Sequence, residues 1–252
     1  MTDSIPQDRI DLAAKAAARV AKPVTVRALG GAFLLDVDGK PLKTPAGLEL
    51  RLPTRALAEA IAVEIGAAAP QAHKNPAVMP NLRFAATAID RVAAARQETV
   101  ESVVSYGATD LLCYRAEDPA DLMARQHMAW QPLLDWAAER FNVTLVSVAG
   151  IMPSPQPPKA LAALRKVVAA YDDLTLTGLA MATQVSGSLI LGLALVEDRI
   201  DETQIFELAE LDETYQIEKW GEDEEAANRR AIRRRDLAET AAFLRLLRPD
   251  NT

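Results

Sequence analysis

The sequence has little of what most catalytic and metal chemistry needs. It holds one cysteine, Cys113, in 252 residues, so no disulfide can form within the chain. Cys113 lies between Leu112 and Tyr114, the setting of a small buried hydrophobe. Of the two histidines, His73 and His127, neither has a second histidine or a cysteine at ligand spacing, which argues against a zinc site. A serine triad would need one of the two, and the chain has no nucleophile elbow. Phosphate-binding loops are missing as well, because the stretch from Gly187 to Gly192 lacks the lysine such a loop uses. No metal, nucleotide or organic cofactor is therefore expected. No apolar run reaches the roughly 18 residues of a membrane-spanning helix, so no membrane insertion is expected. The net charge of −7 disfavours nucleic acid, whose phosphates call for a basic face. The start of the chain, MTDSIPQDRIDLAAK, has neither the apolar core of a signal peptide nor the basic, acid-poor character of a mitochondrial presequence. The expected location is the bacterial cytoplasm.

What is present points to an α+β protein. Half of the residues are hydrophobic, and aromatics are only 5%. Abundant alanine favours helices over a β-sandwich. A short helix is expected over Asp8 to Ala21, ended by Pro23. Period-two alternation then predicts four short antiparallel strands between Val24 and Leu52, with Asp38-Gly39 as a hairpin turn. Thr54 is placed to cap a helix with Leu57, Ile61, Val63 and Ile65 along it. Pro70, Pro76 and Pro80 mark Ala67 to Pro80 as a linker. From Leu82 onward the period is close to 3.6, apart from a β-like run over Phe141 to Val148. Pro132 falls inside a helical pattern and should kink that helix or begin a new one. Leu174 to Ala182 and Ser188 to Val196 are apolar nearly all round and belong in an interior. The expected organisation is an N-terminal α+β domain, residues 1–80, with a small antiparallel sheet, then a larger mainly helical domain, residues 81–252.

The most informative stretch is ELAELDETYQIEKWGEDEEAANRRAIRRR, Glu207 to Arg235. It reads as two helices joined at Gly221, a residue suited to ending a helix in the left-handed conformation. It is acidic through Glu225, with Lys219 as its single base, and then carries Arg229, Arg230, Arg233, Arg234 and Arg235. Glu222 to Glu225 would face the positive end of the second helix dipole, and Glu225 and Arg229 have the favourable (i, i+4) order. One reading of the stretch is two solvated amphipathic helices. Tyr215 and Trp220 among so many carboxylates support another, a partner-binding surface. Trp220 itself reads either as an apolar anchor between the helices or as a contact residue.

LDETYQIEKWGEDEE resembles the C-terminal signature of the assembly chaperones for the alpha subunit of the F-type ATP synthase head, the ATP synthase assembly factor 2 family. Tyr215, Gln216, Ile217, Trp220, Gly221 and Glu224 carry the resemblance here. It continues through Thr44-Pro45, Leu52-Pro53-Thr54, Met79-Pro80, Thr87 to Asp90, and Asp110 to Ala116 with Pro119, Gln126, Trp130 and Trp136. One departure is Ile65, which follows Glu64 where the family commonly has tryptophan. The resemblance implies a non-enzymatic chaperone, monomeric when free, whose partner is the unassembled alpha subunit. The expected partner-binding residues are Glu213, Tyr215, Gln216, Trp220, Gly221 and Glu224, with no catalytic residues. Two other readings stay open: an interaction module with another client, and a hydrolase using the carboxylates around Asp212, Glu213 and Glu222.

Overall fold

A computed structural model describes residues 23–67, 79–150, 152 and 154–249. The expected helix over Asp8 to Ala21 and most of the expected linker lie outside them. The described residues form two compact units, one up to Arg83 and one from Phe84.

The first unit is built on a three-stranded antiparallel sheet in the order β1-β2-β3. Strand β1 (Val24–Leu29) pairs with β2 (Ala32–Val37) along its whole length, from Val24 opposite Val37 to Leu29 opposite Ala32. Gly30 and Gly31 make the two-residue turn, both at positive φ, as a hairpin of matching twist demands. The expected turn at Asp38-Gly39 is also present, at φ 52° and 70°, and leads into β3 (Lys40–Pro41). The fourth expected strand is only partly realised. Leu50 and Leu52 are buried, but pairing there reduces to the isolated bridges Phe33–Leu52 and Lys43–Glu49. Helix α1 (Arg55–Ala67) is capped by the Thr54 hydroxyl, which accepts from the Leu57 N–H. It buries Leu57, Ala58, Ile61 and Ile65, one face at helical spacing. Ile65 is thus a core residue. Glu64 points the other way, and its carboxylate accepts from the N–H groups of Asn81 and Leu82 in the first turn of α2 (Pro80–Thr87). A negative charge there faces unpaired donors and the positive helix end.

The second unit is helical apart from one two-residue parallel strand pair, β4 (Tyr114–Arg115) with β5 (Val148–Ala149). After α2 the chain passes through a π turn, Ala88–Val92, to α3 (Arg96–Ala108) and a 3-10 turn, Leu111–Cys113. Helix α4 (Ala120–Phe141) continues through Pro132, so no new helix begins there. Of the expected β-like run, Phe141 ends α4, residues 142–147 form a loop, and only Val148 enters a strand, β5. The reason lies ten residues further on: the Gln156 amide donates to the Val146 carbonyl and accepts from the Val146 N–H. A side chain thereby takes the hydrogen bonds a neighbouring strand would have offered.

Helices α5 (Pro158–Ala170), α6 (Asp173–Ser186) and α7 (Leu189–Val196) follow. In α7 every residue from Leu189 to Leu195 is buried, and α6 packs along it. Close approach is possible because Gly192 has no side chain. A Cβ there would lie 2.5 Å from the Thr183 hydroxyl and 3.3 Å from the Thr183 backbone nitrogen. The start of α7 is held by two buried groups. Ser188 caps it through the Leu191 N–H. Asp110 accepts from the Ser188 hydroxyl at 2.6 Å, from the Ile190 N–H and from the Leu112 N–H. The last three helices are α8 (Glu202–Ala209), α9 (Leu211–Trp220) and α10 (Glu224–Leu246). Among the described residues, no helix is long and apolar enough to cross a membrane.

Candidate functional site

The acidic stretch breaks twice, not once. The first break is at Glu210, which ends α8 and precedes α9 at φ −104°, ψ 17°. The sequence conceals it, because Leu208, Leu211 and Tyr215 keep helical spacing across it. The second is Gly221, at φ 88°, ψ 167°. This is not the left-handed helical region expected for a terminating glycine but the extended region of positive φ, which only glycine occupies readily. Its N–H still donates to the Ile217 carbonyl at 2.8 Å, closing the last turn of α9. Asp223 then caps α10 by accepting from the Ala226 N–H.

Helix α9 is fixed against α4 by side chains that change roles along its length. Near its start, the Gln126 amide donates to Asp212 at 2.8 Å while its oxygen accepts from the Ala116 N–H. Gln126 is buried, so both bonds are made away from water, where leaving either unmade is costly. The neighbouring Trp130 ring is fully buried and donates to the Leu208 carbonyl at the end of α8. In the middle of α9, Tyr215 is 4% exposed and its hydroxyl donates to Asp121 at 2.8 Å. Arg125 and Lys219 lie over its ring at 5.3 and 5.0 Å, close enough for cation–π attraction. Arg125 also pairs with Glu218, and Lys219 with Asp121. The Tyr215 hydroxyl holds the Asp121 carboxyl below its ordinary range, with Lys219 adding to this. Burial, and then the bond to Asp121, raise the Tyr215 phenol.

The six residues expected at the site divide accordingly. Tyr215 faces inward and anchors α9. Gln216, Trp220, Gly221 and Glu224 are exposed around the junction of α9 and α10. Trp220 is 77% exposed, which overturns its reading as an apolar anchor between the helices. Glu224 opens α10 with its side chain in solvent. Glu213 is half-buried and lines a crevice of about 100 Å³ with Glu210, Ala226, Arg229, Arg230 and Arg233.

That crevice holds what the sequence reading missed. Glu210 is 3% exposed, and Arg230 and Arg233 reach it at 3.2 and 2.6 Å. The shorter contact is an ion pair at poor hydrogen-bonding angle. The basic cluster is likewise consumed inside the molecule. Arg229 pairs with Glu225, Arg234 stacks 4.3 Å from the Phe206 ring centre, and Arg235 pairs with Asp236 and Glu239. The acids once considered together separate too: Asp212 goes to Gln126, and Glu222 to Arg230 at 3.4 Å. A sequence signal for Glu210 did exist, in Arg230 and Arg233 one turn apart, but nothing in the pattern said which acid they face.

Cys113 is fully buried, and burial pushes its thiol up to about 12, with Asp110 adding to this. It is an inert core residue, since the thiolate is the reactive form. His127 is exposed on α4. Among the described residues, no three metal-binding side chains converge.

The chain matches solved structures along nearly its whole length. The crystal structure of Atp12 from Paracoccus denitrificans is 40% identical, with a TM-score of 0.86, covering 91% of this chain and 98% of that one. A mutant of P. denitrificans Atp12p is 39% identical, with a TM-score of 0.85 and coverage of 90% and 98%. The Atu1473 protein of Agrobacterium tumefaciens is 41% identical, with a TM-score of 0.82 and coverage of 90% and 85%. Residues 18–138 match the family profile described as ATP12 chaperone protein. The chain belongs to the ATP12 chaperone family.

Proposed function

We propose that this chain is a non-enzymatic chaperone that binds the unassembled alpha subunit of the F-type ATP synthase head and promotes assembly of that head. The reading joins family membership to one observation, the exposure of Trp220 at the C-terminal end of α9. A solvent-facing indole costs the free protein an apolar surface in water, and aromatic side chains of this kind dominate protein interfaces. A newly made subunit that will later meet its neighbours has apolar surface to cover, and such surface aggregates when left open. The proposed contact set is Gln216, Trp220, Gly221 and Glu224, with Tyr215 holding α9 and Glu213 at its flank. No cofactor or catalytic residue takes part, and the free protein works as a monomer in the bacterial cytoplasm.

The test is a pull-down with isolated alpha and beta subunits of the same organism. The expected result is capture of alpha and not of beta. Glu224→Lys should fold with a near-native melting curve and lose the alpha subunit. Glu139→Lys, a change at an exposed acid on α4, should retain it. Equal capture by both folded variants would remove Glu224 from the contact set. Failure of the unaltered protein to hold alpha would overturn the function.

A further inference from the structure

The ion-pair cluster at Glu210 makes contacts that helix stability alone does not call for. Arg230 touches each segment around the junction. It reaches Glu210 between α8 and α9, the Thr214 hydroxyl on α9 at 3.1 Å, Glu222 in the turn at 3.4 Å, and the Phe206 ring on α8 at 5.4 Å. Arg233 adds a second guanidinium on the same carboxylate and donates to the Val185 carbonyl at the end of α6 at 2.9 Å. Glu210 therefore joins α8, α9 and α10, and through Arg233 α6; Glu210 and most of Arg230 are buried there, while Arg233 reaches in from the surface. Buried ion pairs are a poor device for stability, because desolvation offsets much of the attraction and apolar replacements often do as well. What they do supply is one geometry, since the carboxylate is held by a charge-assisted hydrogen bond from Arg230 and by the charge of Arg233 on its other oxygen. The turn they enclose, residues 221–223, is exposed throughout, so it has little packing of its own to set the angle between α9 and α10.

We infer that Glu210, Arg230 and Arg233 are positioning residues: a clasp on one buried carboxylate that fixes α9 against α10 and thereby sets Trp220 and Glu224 in one relative placement for the client. The inference rests on the proposed contact surface, but its physical half, the rigidity of the junction, stands without any client. Glu210→Gln keeps the shape and removes the charge. Breaking the clasp frees the junction while the α5–α7 core keeps its packing.

Two measurements test this on the full-length protein. Hydrogen exchange in Glu210→Gln should speed up by about tenfold or more for amides of residues 215–220 and 226–230, with α7 unchanged, tenfold being the ordinary signature of about 1.4 kcal/mol. Affinity for isolated alpha subunit, measured where the variant is fully folded, should fall by a similar factor, roughly tenfold. If Glu210→Gln does not fold, Arg233→Gln, which leaves the Arg230 pair in place, is read in the same way. Unchanged exchange at the junction, exchange raised equally across the whole unit, or lost protection with full affinity would each overturn the clasp as a positioning device. Absence of alpha binding by the unaltered protein would instead strike the proposed function and leave the exchange result to decide on the clasp.

Discussion

Asp110 is the residue at which burial and hydrogen bonding pull hardest against each other. Burial raises its carboxyl from 3.8 to about 6, and the bonds from Ser188, Ile190 and Leu112 oppose this only in part. A carboxyl whose folded pKa lies above its unfolded value holds its proton more tightly when folded. Its contribution to stability is therefore complete below the unfolded pKa of 3.8 and is lost as pH rises through about 6. Relative to Asp110→Asn, the protein should lose stability between about pH 4 and pH 7, by on the order of 3 kcal/mol. Urea unfolding at several pH values measures the difference, and a flat difference across that window would contradict it. Tyr215 offers a second test. Tyr215→Phe removes the donor that holds the Asp121 carboxyl down, so the Asp121 titration midpoint should rise toward its ordinary value. Carboxyl carbon NMR reads this directly. An unchanged midpoint would mean that the hydroxyl bond is not formed in solution.

At the scale of elements, two glycines have different physical reasons and different expected costs. Gly192 is needed for space. Alanine there would press against both the side chain and the backbone of Thr183, and a backbone cannot swing away. Overpacking of this kind costs about 1–3 kcal/mol, read as a lower midpoint in urea. Gly221 is needed for conformation, since nothing lies within 4 Å of a Cβ built there. Gly221→Ala should cost about 1–3 kcal/mol through backbone strain, or shift the turn and with it Trp220. Melting together with alpha-subunit capture separates these: a cost in stability with full capture would mean the turn absorbs the change.

At the scale of the whole molecule, most described charges near Trp220 already have a partner within the chain, several of them in exposed pairs at the surface. Arginines 229 to 235 and most of the neighbouring acids are bound to one another or to the chain. Binding to the alpha subunit should therefore depend more on Trp220 than on bulk charge. Trp220→Ala should weaken capture more than raising the salt concentration does, because screening acts on exposed charges and leaves apolar contact nearly intact. Capture abolished by salt and indifferent to Trp220→Ala would reverse that expectation.

The sequence by itself determined most of the local structure. Period-two alternation and the Asp38-Gly39 turn located the sheet, because a strand's faces and a hairpin's positive φ impose their own residue choices. Helical spacing located α1 and the later helices for the same kind of reason, and the all-apolar α7 could only be interior. The pattern around Tyr215 to Glu224 also named residues that lie around one junction. Only the tertiary structure decided what each does there. That Trp220 faces solvent while Tyr215 is the anchor depends on how α9 lies on α4, and a one-dimensional pattern does not fix rotation about a helix axis to that accuracy. That Gln156 replaces a strand, and that Glu210 rather than any of its acidic neighbours receives Arg230 and Arg233, depends on contacts between residues distant in the chain. Charge pairing of this kind leaves no local signature, because an acid in a solvated row and an acid in a buried clasp are the same letter in the sequence.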